Sequence, residues 1–194
     1  MKKQLDLGSG CVPRRKDGYE ARGVDLFDFG VDSVKVADLA IQPIPYPTDE
    51  FDLVTAYDFM EHVPAVLYLP ARGSGSPSAG SYHVERRNSM IELFNEIYRV
   101  LVPGGEFYFE SPAYIFGQNN TAVWQDPTHI YFWTPETLNY FSGNYYGHHD
   151  DYGHTSRFKK QSVEVINGRI NATLVAIKSL PPDAQYKLDY TVTQ

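Results

Sequence analysis

The sequence predicts a single α/β domain, built on a mostly parallel sheet of seven strands that ends in an antiparallel hairpin. Short apolar stretches alternate with a clear helical repeat from the start of the chain to residue 111. A Gly-x-Gly turn follows the first stretch directly, and an Asn-Gly pair divides the last two. Alternating strands and helices are typical of a parallel sheet, and Asn-Gly between two β-rich runs is a strong hairpin signal.

Four short strands are expected in the first part of the chain. Residues 4–7, 21–26 and 34–37 each form a brief apolar run, and the longer run at 51–56 has the composition of a buried central strand. The stretch between the first two runs is short and rich in Pro and Arg, so we expect no full crossover helix there.

One helix and three further strands complete the prediction. Residues 88–101 carry their apolar side chains at helical spacing on one face. Pro103-Gly104-Gly105 ends this pattern, and a strand is expected over 106–111. The last two strands are expected on either side of Asn167-Gly168, because a type I′ turn needs two residues that tolerate positive φ.

Composition narrows the class of protein. The 194 residues suit one domain, 1–194, around one core. A net charge of −7 argues against electrostatic binding to nucleic acid. The single cysteine, Cys11, allows no internal disulfide and favours a reducing, cytoplasmic location. No apolar run reaches membrane-spanning length, so no membrane partner is expected.

Two segments stand apart from the alternating pattern. A flexible insertion is expected at about 68–87, because residues 71–83 are rich in Gly and Ser. Aromatic residues are concentrated after the fifth strand, within a segment of about 112–155. Ligands of open α/β sheets lie beyond the carboxyl ends of the strands, so this segment is expected to cover an acceptor; plain core packing is the alternative.

The first turn has the features of a nucleotide-type cofactor site. Gly8 and Gly10 allow close approach of a ligand to the backbone. Pro13 stands where the dinucleotide fingerprint requires a third glycine, and it removes an N–H that could bind a pyrophosphate. Asp25 and Asp38 end the second and third strands, where carboxylates can accept hydrogen bonds from a ribose or an adenine amine.

Several stretches together resemble the successive motifs of class I S-adenosylmethionine-dependent methyltransferases, which have a Rossmann-like fold. These stretches are LDLGSG, GVDLFD, VADLAIQPIPYPTDEFDLVTAYDFMEHV and LFNEIYRVLVPGGEFYFESP. The resemblance covers residues 4–112, and the terminal hairpin fits the same fold. LGSGCVPRRKDGYEARGVD is similar to a small, type 11-like variant whose first crossover is shortened.

The resemblance implies S-adenosyl-L-methionine as the cofactor. Five residues would then lie around its methionine part. Gly8, Ser9 and Gly10 would form the loop that flanks it, and Asp6 would lie near its amino group. Tyr57, after the fourth strand, would lie beside the methionine or the methyl-transfer axis.

Four more residues would hold the adenosine part under the same resemblance. Asp25 would accept both ribose hydroxyls, and Leu26 would pack on the adenine ring. Asp38 and Leu39 would recognise the edge of the adenine.

The chemistry of methyl transfer directs attention to His129 in QDPTHIYFWTPETL. Similar D-P-T-H segments occur in related methyltransferases, and an oxygen acceptor needs a base near neutral pH. His129 is the predicted catalytic residue; the alternative is a histidine that fixes the loop through the backbone. The pair Glu61-His62 is interpreted as the start of a helix.

The acceptor is expected to be a small molecule or a saccharide, and the oligomeric state is left open. The Asn/Asp-Pro-Pro-aromatic motif of nucleobase N-methylation is missing after the fourth strand, which argues against nucleic acid. Two alternatives remain: a nicotinamide-dependent oxidoreductase and a non-catalytic nucleotide-binding or interaction module. No metal site is expected, because the His/Asp-rich loop at 144–154 is most simply a solvated loop.

Overall fold

The computed structural model describes residues 1–70, 84–117, 120–142 and 152–178. Short 3-10 turns occupy Met60–His62 and Thr137–Tyr140. The remaining elements, in chain order, are β1 (Lys2–Leu7), β2 (Tyr19–Asp25), β3 (Val34–Val36), β4 (Phe51–Tyr57), β5 (Leu67–Pro70), β6 (Val84–Arg87), α1 (Ser89–Val100), β7 (Leu101–Pro112), α2 (Thr121–Trp124), β8 (Phe158–Ile166) and β9 (Arg169–Ala176).

The main sheet confirms the predicted fold class. Its seven strands run in the order β3-β2-β1-β4-β7-β9-β8. The first five are parallel to one another, whereas β9 is antiparallel to both β7 and β8. Asn167 and Gly168 both have positive φ, as the predicted hairpin turn requires. The sheet is therefore mostly parallel with a C-terminal antiparallel hairpin.

The predicted helix is confirmed as α1, whose apolar residues are buried. The helix ends at Val100, and the chain enters β7 at once. Pro103, Gly104 and Gly105 lie inside this strand, where its register with β4 shifts between the pairs Phe51–Leu101 and Leu53–Glu106. A bulge at this point absorbs residues that cannot continue a regular ladder.

One face of the sheet, which we call the closed face, is apolar and covered. Side chains alternate between the two faces along each strand. The closed face carries Leu5, Leu7, Val54, Ala56, Phe107, Phe109, Ala172 and Leu174, all of them buried. Helix α1 packs on this face through Phe94, whose ring stacks on Phe141 with centroids 3.8 Å apart. Trp133 packs against Phe109, so residues after β7 complete the cover.

The opposite face, which we call the open face, is mostly polar, although Leu53 and Val175 also lie on it. It carries Gln4, Asp6, Thr55, Tyr57, Tyr108, Glu110, Asn171 and Thr173. Parallel sheets are usually covered on both faces, and the sequence predicted helices flanking the sheet. In the described ranges α1 covers only the closed face. The open face is lined by the loop of residues 11–16, because the short first crossover contains no helix.

The insertion predicted at 68–87 begins and ends in strands. β5 and β6 form a separate antiparallel pair, in which Leu67 lies opposite Arg87. Residues 71–83, the Gly/Ser-rich part, lie outside the described residues. Among the helices that the structure describes, none combines the length and hydropathy required to cross a membrane.

Candidate cofactor and acceptor site

The Gly-x-Gly turn is a tight loop at the carboxyl end of β1. Gly8 and Gly10 have φ angles of 66° and 59°, a region that favours glycine. The Gly8 N–H donates to the Val24 carbonyl at 2.9 Å, which ties the loop to β2. A Cβ on Gly8 would come within 2.7 Å of the Phe59 ring, so no side chain fits there. The loop is therefore packed against the residues that follow β4.

Asp25 connects the glycine loop to the end of β2. Its Oδ2 accepts a hydrogen bond from the Gly10 N–H at 2.8 Å, and its Oδ1 accepts one from the Phe27 N–H at 3.1 Å. Its carbonyl accepts from the Ala37 N–H at 2.9 Å, which brings the end of β3 and the adjacent Asp38 to the same edge. The structure thus brings together the predicted glycine and carboxylate residues.

Asp6 is buried beneath the loop and is engaged at both oxygens. Oδ2 accepts from the Arg14 N–H at 2.8 Å, and Oδ1 accepts from the Thr55 hydroxyl at 2.7 Å. Burial raises the pKa of Asp6, and the hydrogen bonds from Arg14 and Thr55 act in the opposite direction. Asp6 therefore anchors the short crossover to the sheet.

The other predicted cofactor residues lie in different environments. Ser9 occupies the space in which a Cβ on Gly23 would lie. Leu26 is 56% exposed beside Asp25, whereas Leu39 is buried in the core. Tyr57 lies on the open face, where the Arg14 guanidinium stands 4.0 Å from the centre of its ring. A concave pocket of about 340 Å³ runs along that face past Tyr57 and Tyr108.

His129 lies at the carboxyl ends of β4 and β7, in the segment expected to face the acceptor. Its Nδ1 is 3.1 Å from the Val123 carbonyl, and its backbone N–H donates to the Asp126 carbonyl at 3.1 Å. Its Nε2 points between two carboxylates, 4.0 Å from Glu61 Oε1 and 3.9 Å from Asp126 Oδ2. His129 thus combines the predicted loop position with an Nε2 atom that faces two carboxylates.

Glu61 is the site residue whose role the sequence did not predict. The expected helix start is a three-residue 3-10 turn, and the Glu61 side chain is buried. Its Oε2 accepts from the Ser111 hydroxyl at 3.0 Å, and its carbonyl accepts from the backbone N–H groups of Ile130 and Tyr131. Burial raises the pKa of Glu61, opposed by its hydrogen bonds. The sequence feature that could have indicated this role is an acidic residue just after the carboxyl end of a strand.

The histidine-rich loop at 144–154 is described only in part. Residues 143–151 lie outside the described residues, and they include His148, His149 and Asp150. His154 is described and is buried, with its ring centre 5.6 Å from that of Phe141.

Several exposed aromatic side chains lie in the segment that follows β7. The ring centres of Trp124 and Phe132 are 4.9 Å apart, and those of Tyr114 and Phe132 are 6.4 Å apart. Trp124 is 61% exposed. A shallow pocket of about 520 Å³ is lined by Tyr114, Trp124 and the polar residues Asn120, Thr121 and Gln125. The aromatic segment therefore supplies both core residues and an accessible surface.

Comparison with known proteins identifies the fold. No protein-family model and no curated protein sequence matches the chain. Among solved structures it is similar to a chain of the complex between the Haloferax volcanii Trm112 methyltransferase activator and a methyltransferase. The TM-score is 0.56 at 15% identity, over 91% of this chain and 83% of that one.

Two further structures are similar. One is a TehB-like SAM-dependent methyltransferase from Corynebacterium glutamicum, with a TM-score of 0.51 at 16% identity over 90% of this chain and 80% of that one. The other is the [4+2]-cyclase SpnF, with a TM-score of 0.57 at 14% identity over 91% and 74% of the two chains. Identities this low establish the fold alone. The chain has the Rossmann-like fold of class I methyltransferases.

Proposed function

We propose that the protein is an S-adenosylmethionine-dependent methyltransferase that acts on a small-molecule or saccharide acceptor in the cytoplasm. The observation that carries the proposal is the hydrogen bond between the Gly10 N–H and Asp25 Oδ2 at the carboxyl ends of β1 and β2. In open α/β sheets, ligands bind at this edge. A glycine-rich loop and a carboxylate at its border suit the methionine and ribose parts of the cofactor, respectively.

Each predicted cofactor residue has a defined task in this proposal. Asp25 accepts the two ribose hydroxyls, exchanging its bond with the Gly10 N–H for one with the ligand. The exposed Leu26 packs on the adenine, and Asp38 with Leu39 borders its edge. Asp6 acts mainly through the loop, since its oxygens already hold Arg14 and Thr55.

Three further residues complete the proposed site on the methionine side. Gly8 and Ser9 form the loop wall, and Tyr57 borders the methionine from the open face. Pro13 supports this cofactor over a dinucleotide, because the loop has no N–H at that position for a pyrophosphate.

The exposed aromatic residues support the proposed class of acceptor. Flat apolar rings edged by hydrogen-bonding groups suit a sugar or a similar compact molecule, whose C–H faces pack on rings while hydroxyls reach amides. Trp124 and Phe132 offer such rings next to the amide of Gln125. The transfer itself is a displacement at an activated methyl group, so alignment of the acceptor supplies much of the rate.

His129 is the proposed base for an oxygen acceptor. Because a backbone carbonyl only accepts, the contact with Val123 places the ring proton on Nδ1 and a lone pair on Nε2. That lone pair can take a proton or bind a metal ion, but it cannot do both at once.

Calorimetric titration with S-adenosylhomocysteine and with NAD tests the cofactor. We expect S-adenosylhomocysteine to bind and Asp25→Asn to weaken its affinity about tenfold or more, the loss expected for one hydrogen bond to a charged group. Asp28→Asn is the matched control, because Asp28 is an exposed carboxylate of the same loop that bonds only the Gly30 N–H in the structure.

The other outcomes distinguish the alternatives. Affinity for NAD alone would identify a nicotinamide-dependent oxidoreductase. Affinity for neither ligand would favour a non-catalytic interaction module. An equal loss of affinity in the Asp25 and Asp28 variants would show that general charge, rather than ribose recognition, is responsible.

A further inference from the structure

Three side chains at the carboxyl ends of β4 and β7 converge on one point. Glu61, His62 and His129 each offer one ligand atom, and these atoms all lie within 4.8 Å of one another. Glu61 and His62 come from the turn after β4, whereas His129 comes from the segment after β7. The Glu61 carbonyl joins the two parts by accepting the backbone N–H groups of Ile130 and Tyr131.

The carboxylate at the centre of this group has an oxygen without a partner. Glu61 is 1% exposed, and its Oε1 makes no hydrogen bond, whereas Oε2 is bound by Ser111. A buried carboxylate oxygen left unpaired is costly. The His129 Nε2 stands 4.0 Å away, which is beyond hydrogen-bonding distance. The site therefore lacks a group that could interact with both atoms.

The two imidazoles are both held through Nδ1. His129 Nδ1 contacts the Val123 carbonyl at 3.1 Å, and His62 Nδ1 contacts the Thr128 carbonyl at 3.2 Å. A carbonyl can only accept, and the Thr128 hydroxyl, 3.1 Å from His62 Nδ1, already donates its proton to Asp126 Oδ1. Each Nδ1 therefore acts as the donor, and each ring in its neutral form keeps its lone pair on Nε2. A hydrogen bond from the second ring nitrogen to a backbone carbonyl is the arrangement by which proteins orient metal-binding histidines.

We propose that Glu61, His62 and His129 bind a divalent transition-metal ion, for which Zn²⁺ is the best match. Two imidazoles and one carboxylate form a three-residue donor set that leaves a coordination position open. Metal–ligand bonds of about 2.0–2.2 Å allow one ion to contact two atoms that are 4.0 Å apart. Asp126 Oδ2, 3.9 Å from His129 Nε2, supplies further negative charge beside the site.

The location next to the predicted methionine loop assigns the ion a function in activating the acceptor, which the proposed cofactor site does not provide. Phe59 packs on Gly8 and lies two residues before Glu61, so the metal group borders the predicted methionine loop. An ion there would lower the pKa of a hydroxyl bound at its open position, as metal ions do for water. With the ion bound, His129 would act as a ligand, and the acidified acceptor hydroxyl would release its proton to solvent water.

The experiment measures metal binding alone, so it does not depend on cofactor or acceptor. Purified full-length protein, stripped with a chelator, is titrated with Zn²⁺ against a chromophoric competitor. We expect one tight equivalent per chain, with an affinity reduced more than about 100-fold in Glu61→Gln and His129→Gln, beyond the loss typical of outer-shell changes. His62→Gln, at a more exposed position, should show the same loss with less risk to folding.

Two control variants make the result specific. Ser111→Ala keeps all three ligands but releases Glu61 Oε2, and we expect an affinity reduced by about 10–100-fold, as for an outer-shell partner. His148→Ala with His149→Ala removes two imidazoles outside the described residues and should leave the tight equivalent unchanged. Circular dichroism of each metal-free variant shows whether it is folded.

Three outcomes would overturn the proposal. They are wild-type protein without a tight equivalent, Zn²⁺ affinity unchanged in the folded His62→Gln variant, and tight binding lost in the His148/His149 variant. Titration of the same preparations with S-adenosylhomocysteine keeps the two proposals separate. A protein that binds S-adenosylhomocysteine but not Zn²⁺ would refute only the metal site.

Discussion

The two faces of the central sheet are built from the same strands but from different chemistry. On the closed face, Phe107 and Phe109 pack with Phe94 and Trp133 in a continuous aromatic core. On the open face, the residue between those two phenylalanines is Tyr108, whose hydroxyl donates to Asn171 Oδ1 at 3.1 Å. One face is stabilised by burial of apolar area, whereas the other is stabilised by polar side chains that bond one another.

The contrast shows how a parallel sheet tolerates a missing helix layer. A covered parallel strand is usually apolar on both faces, because helices lie on each side. Here the first crossover is a loop, and the side chains that a helix would cover are polar and mutually paired. Thr55, for example, accepts from Gln4 Nε2 at 3.1 Å and donates to Asp6 Oδ1. Gln4, Asp6 and Thr55 are each at most 3% exposed, so pairing of this kind satisfies buried polar groups where a loop rather than a helix lies over the sheet.

The largest expected effect is a difference in the free energy of unfolding between variants at two neighbouring residues of β7. Phe107→Ala should lower the free energy of unfolding by about 3–5 kcal/mol, because a fully buried ring leaves a cavity. Tyr108→Ala should cost about 1 kcal/mol, close to one hydrogen bond. Both changes replace an aromatic residue at adjacent positions of one strand, so the loss of strand propensity is similar in the two.

Urea unfolding followed by circular dichroism measures both values. Phe107→Leu provides a smaller cavity if the alanine variant does not fold. Equal losses for Phe107 and Tyr108 would contradict the contrast between the faces and would show that the Tyr108 ring contributes as much packing as the Phe107 ring.

A second, smaller effect depends on pH and concerns the buried carboxylate of the open face. The folded-state pKa of Asp6 is raised, so ionisation of Asp6 costs stability, and this cost develops as the pH rises through the raised pKa. The Thr55 hydroxyl offsets part of it by donating to Asp6 Oδ1. Thr55→Val should therefore cost about 1.5–3 kcal/mol at a pH above the raised pKa, where Asp6 is ionised, as for a hydrogen bond to a charged group.

The same variant should cost less in acid. Once the pH is below the ordinary value for aspartate, Asp6 is protonated in both states, and only a neutral hydrogen bond worth about 1 kcal/mol is lost. Unfolding curves of wild type and variant at both pH values give the difference. A loss that grows as the pH falls would mean that the Thr55 hydroxyl stabilises the protonated form of Asp6 more than the ionised form.

The sequence predicted the closed face well and the open face poorly. The periodicity over 88–101 and the Asn167-Gly168 turn are local signals, and both correspond to elements of the structure. The polar residues Thr55 and Tyr108 sit in strands whose other face is apolar. The Pro- and Arg-rich stretch after β1 predicted a first crossover without a helix, but no local pattern predicted that this loop would line the polar side of the sheet.

The candidate site shows the same limit. Gly8, Gly10 and Asp25 follow strand ends, and parallel strands bring their carboxyl ends to one edge, so their proximity was predictable. Glu61 and His129 are far apart in sequence and meet only because the segment after β7 folds back on the turn after β4. The burial of Glu61, which makes it chemically important, depends on that long-range packing and has no local sequence signature.

The smallest effect that we predict concerns an ion pair at the edge of the open face. Arg169 Nε donates to Glu110 Oε1 at 2.6 Å, and both side chains are about three-tenths exposed. A double-mutant cycle with Arg169→Met and Glu110→Gln should give a coupling energy of only about 0.2–1 kcal/mol, because water screens the charges. The coupling should shrink further in high salt.

The size of this coupling tests whether the open face is open in solution. The two residues lie on neighbouring antiparallel strands, β7 and β9, so their geometry is fixed by the sheet. The coupling energy then depends mainly on how far water is excluded from the pair, since charges attract more strongly when water is excluded. A coupling above about 2 kcal/mol that does not respond to salt would exceed what an exposed pair provides. It would mean that a second copy of the chain, or residues outside the described ranges, covers this face, and that the two faces are more alike than their side chains indicate.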